Sequence, residues 1–222
     1  MLVAASNNAH WCDVVCRSHG LPTRSDDDLW VCLRRSPPWY PDAVTLRPGV
    51  AAHDVLSFVD SSPGCSVKDS FADLDLTSAG FRVLFEARWI HRPPAPVPAS
   101  DGPAWREVTT PARMRQWVSA HGGGGNVRPE LLRQPGVTFL GAYDGDALVG
   151  GAVTNRSPSV LGVSNMFGDS TDPVTAWLGA TAAVTARHPR ATLVGYEAGA
   201  SLDAARAAGF VAAGPLRVWV KE

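Results

Sequence analysis

Cysteine is scarce in this sequence. Four in 222 residues are too few for a disulfide scaffold in a chain of this length and suit reduced thiols. An excess of charge of either sign is missing as well, since 20 Lys and Arg face 21 Asp and Glu. That balance lacks the basic footprint of a nucleic-acid binder. Long apolar runs are also lacking: an uncharged window such as Pro173 to Ala186 falls short of the roughly 20 residues a membrane helix needs. Met1 to His10 has neither a basic start nor a long apolar run, so no secretory signal is expected there. These absences lead to the expectation of a cytoplasmic protein with neither nucleic acid nor membrane among its partners. The 45% of hydrophobic residues is enough for a real core and excludes wholesale disorder.

Proline and glycine, by contrast, are plentiful, with 18 and 21 copies. Five of the prolines fall in Arg92 to Ala104, RPPAPVPASDGPA, a composition that favours an extended, semi-rigid spacer. The segment 93–104 therefore reads as a linker between an N-terminal part, 1–92, and a C-terminal part, 105–222. A long surface loop within one domain is the alternative.

The C-terminal part has the clearer pattern. Thr110-Pro111 reads as a helix start, with Met114, Trp117 and Val118 at helical spacing and a stop at His121-Gly122. Val137 to Tyr143 and Ala147 to Thr154 flank Asp144-Gly145-Asp146, which is a hairpin signal. Val160 to Phe167 (VLGVSNMF) is expected to be a third strand. Asp172-Pro173 opens a second helix with Val174, Trp177, Leu178, Thr181 and Val184 on one face. A strand over Ala191 to Tyr196, a short helix over Leu202 to Ala208 and a last strand over Leu216 to Val220 complete the order. Such a meander ending in strand–helix–strand crossovers is an α/β or α+β layer fold.

This order, with Gly209-Phe210 closing the short helix, resembles the GNAT (GCN5-related N-acetyltransferase) superfamily over about residues 105–222. The anchors are the turn at Asp144-Gly145, the strand VLGVSNMF, and the block LVGYEAGASLDAARAAGF. The resemblance implies a mixed, mostly antiparallel sheet flanked by helices, and an acetyl-CoA or other acyl-CoA co-substrate. It further implies transfer of the acyl group to a small amine. It places the co-substrate at Met166, Phe167, Gly168 and Ser170, where the strand passes to the helix that follows. The family pattern there is Q/R-x-x-G-x-G/A, whose backbone N–H groups and helix dipole attract phosphates. This chain has Gly168-Asp169-Ser170-Thr171-Asp172-Pro173 instead, with two carboxylates and no Lys or Arg between Arg156 and Arg187. The family's tyrosine four residues before Gly-Phe is Ala205 here.

Tyr196 and Glu197, where the family's cleft opens, are the candidate catalytic pair. Glu197 is suited to take a proton from an amine if burial raises its pKa; a solvent-exposed loop pair is the alternative. Asn165, His121, Trp39 and Tyr40 are the candidate substrate-binding residues. Asn165 either hydrogen-bonds a ligand or satisfies neighbouring backbone. His121 precedes four glycines that either approach a ligand or form an ordinary helix exit. Trp39 and Tyr40, in Pro37-Pro38-Trp39-Tyr40-Pro41, either wall a cleft or pack on the sheet. Two function classes follow: an acyl-CoA-dependent N-acyltransferase, and a GNAT-like binding or regulatory module without acyl-CoA binding.

The N-terminal part looks like a shortened relative of the same pattern. Val67 to Phe81 aligns with Val194 to Phe210, and each Ala-Gly-Phe precedes a tryptophan-bearing strand, at Trp89 and Trp219. Chance similarity of two strand–helix–strand units is the alternative. Cys12 and Cys16 share a helical face near His19, with Cys32 as a further candidate, but that spacing does not suit structural zinc. All four cysteines are expected unbridged, and no metal is expected.

Overall fold

The computed structural model describes residues 1–99, 101–168 and 172–222. The chain runs α1 (Leu2–Ser18), β1 (Thr23–Ser25), β2 (Leu29–Cys32), β3 (Ala43–Thr45), α2 (Ala52–Leu56), β4 (Ser66–Asp69), a 3₁₀ turn (Thr77–Ala79) and β5 (Phe81–Arg92). It continues with β6 (Ala104–Glu107), α3 (Pro111–His121), 3₁₀ turns at Gly124–Asn126 and Pro129–Arg133, β7 (Val137–Asp144) and β8 (Ala147–Arg156). Last come β9 (Leu161–Gly168), α4 (Pro173–Arg187), β10 (Leu193–Glu197), α5 (Gly199–Ala207) and β11 (Val211–Lys221).

Among the described residues the strands form one sheet of eleven, ordered β1-β2-β3-β4-β11-β5-β10-β9-β8-β7-β6. At its centre β11 runs antiparallel to β5, from Val211 beside His91 to Lys221 beside Phe81. Outward on one side β3 and β4 are parallel, and on the other β9 and β10 are parallel. All remaining neighbours are antiparallel. A parallel pair needs a crossover longer than a tight turn, and α2 and α4 lie in those two crossovers. β5, the last strand before the proline-rich segment, thus sits between β11 and β10 and pairs with both.

The caps expected from sequence are in place. Thr110 accepts the Arg113 N–H at 3.3 Å ahead of Pro111, and α3 ends on Gly122 at φ 75°, a left-handed position that glycine fills without strain. Asp172 accepts the Thr175 N–H at 3.1 Å at the start of α4. Three expectations are corrected. The proline-rich segment ends one residue earlier than read, because Ala104 already pairs with Tyr143 in β6. The same segment is fastened to the fold by buried Arg92, which donates to the carbonyls of Ala208, Ala95 and Pro96 at 2.9, 3.0 and 2.7 Å. The block before Phe81 contains a three-residue 3₁₀ turn, where a helix corresponding to α5 was expected. Asp69, at the end of β4, takes the Phe71, Asp73 and Leu74 N–H groups into one carboxylate, so the chain turns there without helical bonds.

α1 is the element the sequence concealed most. Its buried face of Ala4, Ala5, Trp11, Cys12, Val15 and Cys16 lies on the sheet. Asn7 anchors it: the Asn7 amide donates to the Asn155 carbonyl at 3.1 Å, and the Asn155 amide donates back to the Asn7 carbonyl at 3.0 Å. Gly162 on β9 leaves room for this exchange, since any side chain there would run into both amides. Cys12, Cys16, Cys32 and Cys65 are free and buried.

Candidate active site

The parallel pair β9–β10 is short. Leu193 pairs with Leu161 and Val194 with Gly162, and beyond these residues the two strands no longer pair with each other. The cause is visible on β9. Between Gly151 and Val153 of β8 the register shifts, so that Asn165 and Met166 face a single residue, Ala152. This is a bulge, which bends its strand and re-aims side chains. Asn165 sits in it at φ 53°, a left-handed conformation that asparagine tolerates better than most residues. The Asn165 amide donates to the Ser164 hydroxyl at 3.0 Å.

The parting of β9 from β10 opens a cavity of about 270 Å³. Ser164, Asn165 and Met166 line it from β9; Gly195, Tyr196 and Glu197 from β10; Asn7, Asn8, Trp11 and Cys12 from α1. Trp39, Tyr40, Lys68, Trp89, His121 and Asn155 complete the wall. The expected splaying of these two strands is therefore present, and Trp177 packs as core beside Met166, Leu193 and Phe210.

Adjacent residues on a strand point to opposite faces, and this separates the two candidates on β10. Tyr196 turns toward α1, edge-on to Trp89 at 5.6 Å between ring centroids. Glu197 turns toward α5, where burial lifts its carboxyl to about 7, against a smaller opposing pull from the Ser201 hydroxyl. Ser201 is itself held by the Trp177 indole N–H at 3.2 Å. Glu197 is thus poised to exchange a proton near neutral pH.

His121 closes another side. Its ring stacks on Trp117 at 4.8 Å and meets Trp39 at 5.8 Å and Phe167 at 5.3 Å edge-on. Burial pushes the imidazole pKa down, and its Nδ1 has no hydrogen-bond partner among the described residues. Trp39 stands at the mouth with 70% of its surface exposed and its backbone at φ 73°. For a bulky aromatic that is a strained conformation.

No family model matches the chain, and no curated protein matches it. Solved structures do match over nearly the whole length. The GCN5-related N-acetyltransferase from Kribbella flavida covers 99% of this chain and 95% of its own at TM-score 0.67 and 14% identity. A GCN5-related N-acetyltransferase-like protein from Streptococcus suis covers 96% and 94% at TM-score 0.59 and 10% identity. A functionally unknown conserved protein from Staphylococcus epidermidis covers 91% and 94% at TM-score 0.60 and 11% identity. The chain has the GNAT fold.

Set on that GNAT fold, the residues named from sequence divide into three groups. Asn165, Met166, Tyr196, Glu197, His121, Trp39 and Tyr40 all border the one cavity. Phe167 does not border it: its ring lies in the aromatic cluster with Trp117 and His121, at 5.1 Å from the Trp117 ring. Gly168 does not border the cavity either and pairs with Gly150 at the end of β9. Ser170 and Asp169 lie outside the described residues. At the start of α4, Pro173 brings no N–H and the Asp172 carboxylate takes the Thr175 N–H. Among the described residues this end of the fold thus offers phosphate few donors, while the gap between β9 and β10 is open.

Lys68 escaped the sequence reading. It is 4% exposed, donates to the Asn8 side-chain oxygen at 2.7 Å, and lies over the Tyr196 ring at 4.2 Å from its centroid. The one signal in the sequence is rarity, since the chain has two lysines, Lys68 and Lys221; the burial of the strand around Lys68 belongs to the fold. Among the described residues no helix is long and apolar enough to cross a membrane, and no group of three or more His, Cys, Asp or Glu is arranged to hold a metal ion.

Proposed function

We propose that this protein is an acyl-CoA-dependent N-acyltransferase acting on a small amine. The observation that carries the reading is the cavity at the β9–β10 parting, with the half-buried Glu197 carboxyl on its wall, pushed up to about 7 by desolvation. Acetyl-CoA or a related thioester is the co-substrate and supplies the acyl group. Glu197 takes the proton from the attacking ammonium, directly or through one water. A base with a pKa near working pH does this with a useful fraction ionised. Asn165 and Ser164 offer polar groups on the opposite strand, and Trp39 and His121 wall the amine side. The fold neighbours support transferase chemistry in general terms, and fold alone leaves the substrate open.

The start of α4 favours a second reading, a GNAT-like binding module without catalysis, since Asp172 and Pro173 weaken the anion site there. Titration with acetyl-CoA and longer acyl-CoAs, followed by thermal shift, separates the two. Ligand at about 100 times its dissociation constant stabilises the fold by roughly 2.7 kcal/mol. A transferase also releases free thiol when a suitable amine is added. Absence of any shift with every thioester tested supports the binding-module reading.

A further inference from the structure

Lys68 is a buried cation without a counter-charge among the described residues. It forms no ion pair with any described carboxylate. Asn8 is the one hydrogen-bond acceptor it reaches among the described residues, and the Tyr196 ring covers one side. Buried charges are normally paired, because desolvation without a partner is costly. Lys68 borders the same cavity as Glu197, Tyr196 and Asn165. Asp69, the nearest carboxylate in sequence, is occupied by three backbone N–H groups.

The surroundings also explain why the cation stays directed into the cavity. Asn8 holds it from α1, and α1 is tied to the sheet through the reciprocal Asn7–Asn155 bonds. Its remaining donors have no acceptor among the described residues, and Trp11, Trp89 and Tyr196 wall the cavity beside them. An ammonium in such surroundings binds a compact anion strongly, because little water competes for it.

We propose that the amine acylated here carries a carboxylate, and that Lys68 binds it. The site then takes a small amino acid, with its carboxylate on Lys68 and its amine directed to the gap where Glu197 stands. This assignment rests on the transferase reading for the amine, while the carboxylate contact stands on Lys68 alone. In the transfer, the amine nitrogen bonds to the thioester carbonyl carbon and the C–S bond breaks. The ammonium gives one proton to Glu197 before attack, and after the C–N bond has formed the nitrogen gives its second, through water, to the departing CoA thiolate, which leaves an amide and a free thiol.

The test uses α- and ω-amino acids, each paired with its own carboxamide, on the full chain. Binding is read by thermal shift without thioester, and turnover by thiol release with acetyl-CoA. For at least one pair the acid is preferred over the amide by about tenfold or more, as a charge-assisted contact implies. Lys68→Met removes that preference, and Lys68→Arg retains part of it. The acid–amide comparison on the unaltered chain needs no variant, so misfolding of Lys68→Met does not spare the proposal. If acids and amides are acylated alike, in wild type and Lys68→Met equally, the carboxylate assignment falls and the transferase reading stands. If acids bind with the stated preference but no thioester is consumed, the transferase reading falls and the Lys68 site stands. Failure of every acid both to bind and to react overturns the assignment.

Discussion

Replacing Glu197 with Gln should stabilise the protein, and by an amount that depends on pH. Burial raises the carboxyl from 4.5 to about 7, so the folded state prefers the protonated form more than the unfolded chain does. A raised acid of this kind contributes its full stability below the unfolded pKa and loses it as pH climbs through the folded pKa. Gln has the shape of the protonated acid and no ionisation to oppose. By linkage the wild type should fall behind the variant by about 1 kcal/mol at pH 5 and about 3 kcal/mol at pH 8. For a chain of this size each kcal/mol moves the midpoint by roughly 2–4 °C. The gap between the two melting temperatures should therefore widen by roughly 4–8 °C from pH 5 to pH 8. Differential scanning calorimetry in matched buffers measures it. A gap that stays constant across that range refutes the argument, because the carboxyl would then be solvated as in the unfolded chain. With Glu197 as the base of the proposed transfer, the same variant should lose far more kcat than acyl-CoA affinity in turnover assays, because the cleft is kept.

Four further outcomes follow from the same geometry. Trp117→Ala, which removes a fully buried ring packed on Phe139, Phe167 and His121, should cost about 3–5 kcal/mol in chemical denaturation. Asn155→Leu removes the side-chain donor that ties the Asn7 carbonyl to the sheet and should cost about 0.5–1.5 kcal/mol, with faster hydrogen exchange along α1. The pair Asp172→Asn and Pro173→Ala returns an N–H and removes a charge at the start of α4, and should tighten acetyl-CoA binding severalfold by calorimetry. Burial pushes the Cys12 and Cys65 thiols up to about 11 and about 12, so iodoacetamide at pH 8 should modify both far more slowly in the native protein than in denaturant.

The second half of the fold was largely legible because its signals are local. Thr110-Pro111 and Asp172-Pro173 mark helix starts by capping chemistry, Asp144-Gly145 marks a hairpin, and the apolar runs between them have strand length. The gap between β9 and β10 was expected through the resemblance, and the structure adds its local cause, the bulge at Asn165, which no spacing rule predicts. α1 was read only in part, since its buried face is built from alanines and an asparagine as well as apolar side chains. Those residues make a weak periodic signal until the sheet beneath them is known. β6 was hidden by the prolines just before it. Lys68 was missed for a related reason. A lysine in a short strand reads as a solvated side chain, and only the arrival of α1 from 60 residues away in sequence buries it. Phe167, a co-substrate position by the resemblance, has its ring sent by strand alternation into the Trp117 cluster, which no local pattern foretells.

Hydrogen exchange measured with and without saturating acetyl-CoA tests the central claim most directly, because it locates the ligand without assuming any chemistry. Bound thioester should slow exchange at Val163 to Gly168 on β9 and at Gly195 to Glu197 on β10, where the strands have parted and their facing edges do not pair with each other. The outer strands β1 and β2 should not change. Protection confined to another surface, or no protection at any concentration up to the solubility of the thioester, would contradict the account.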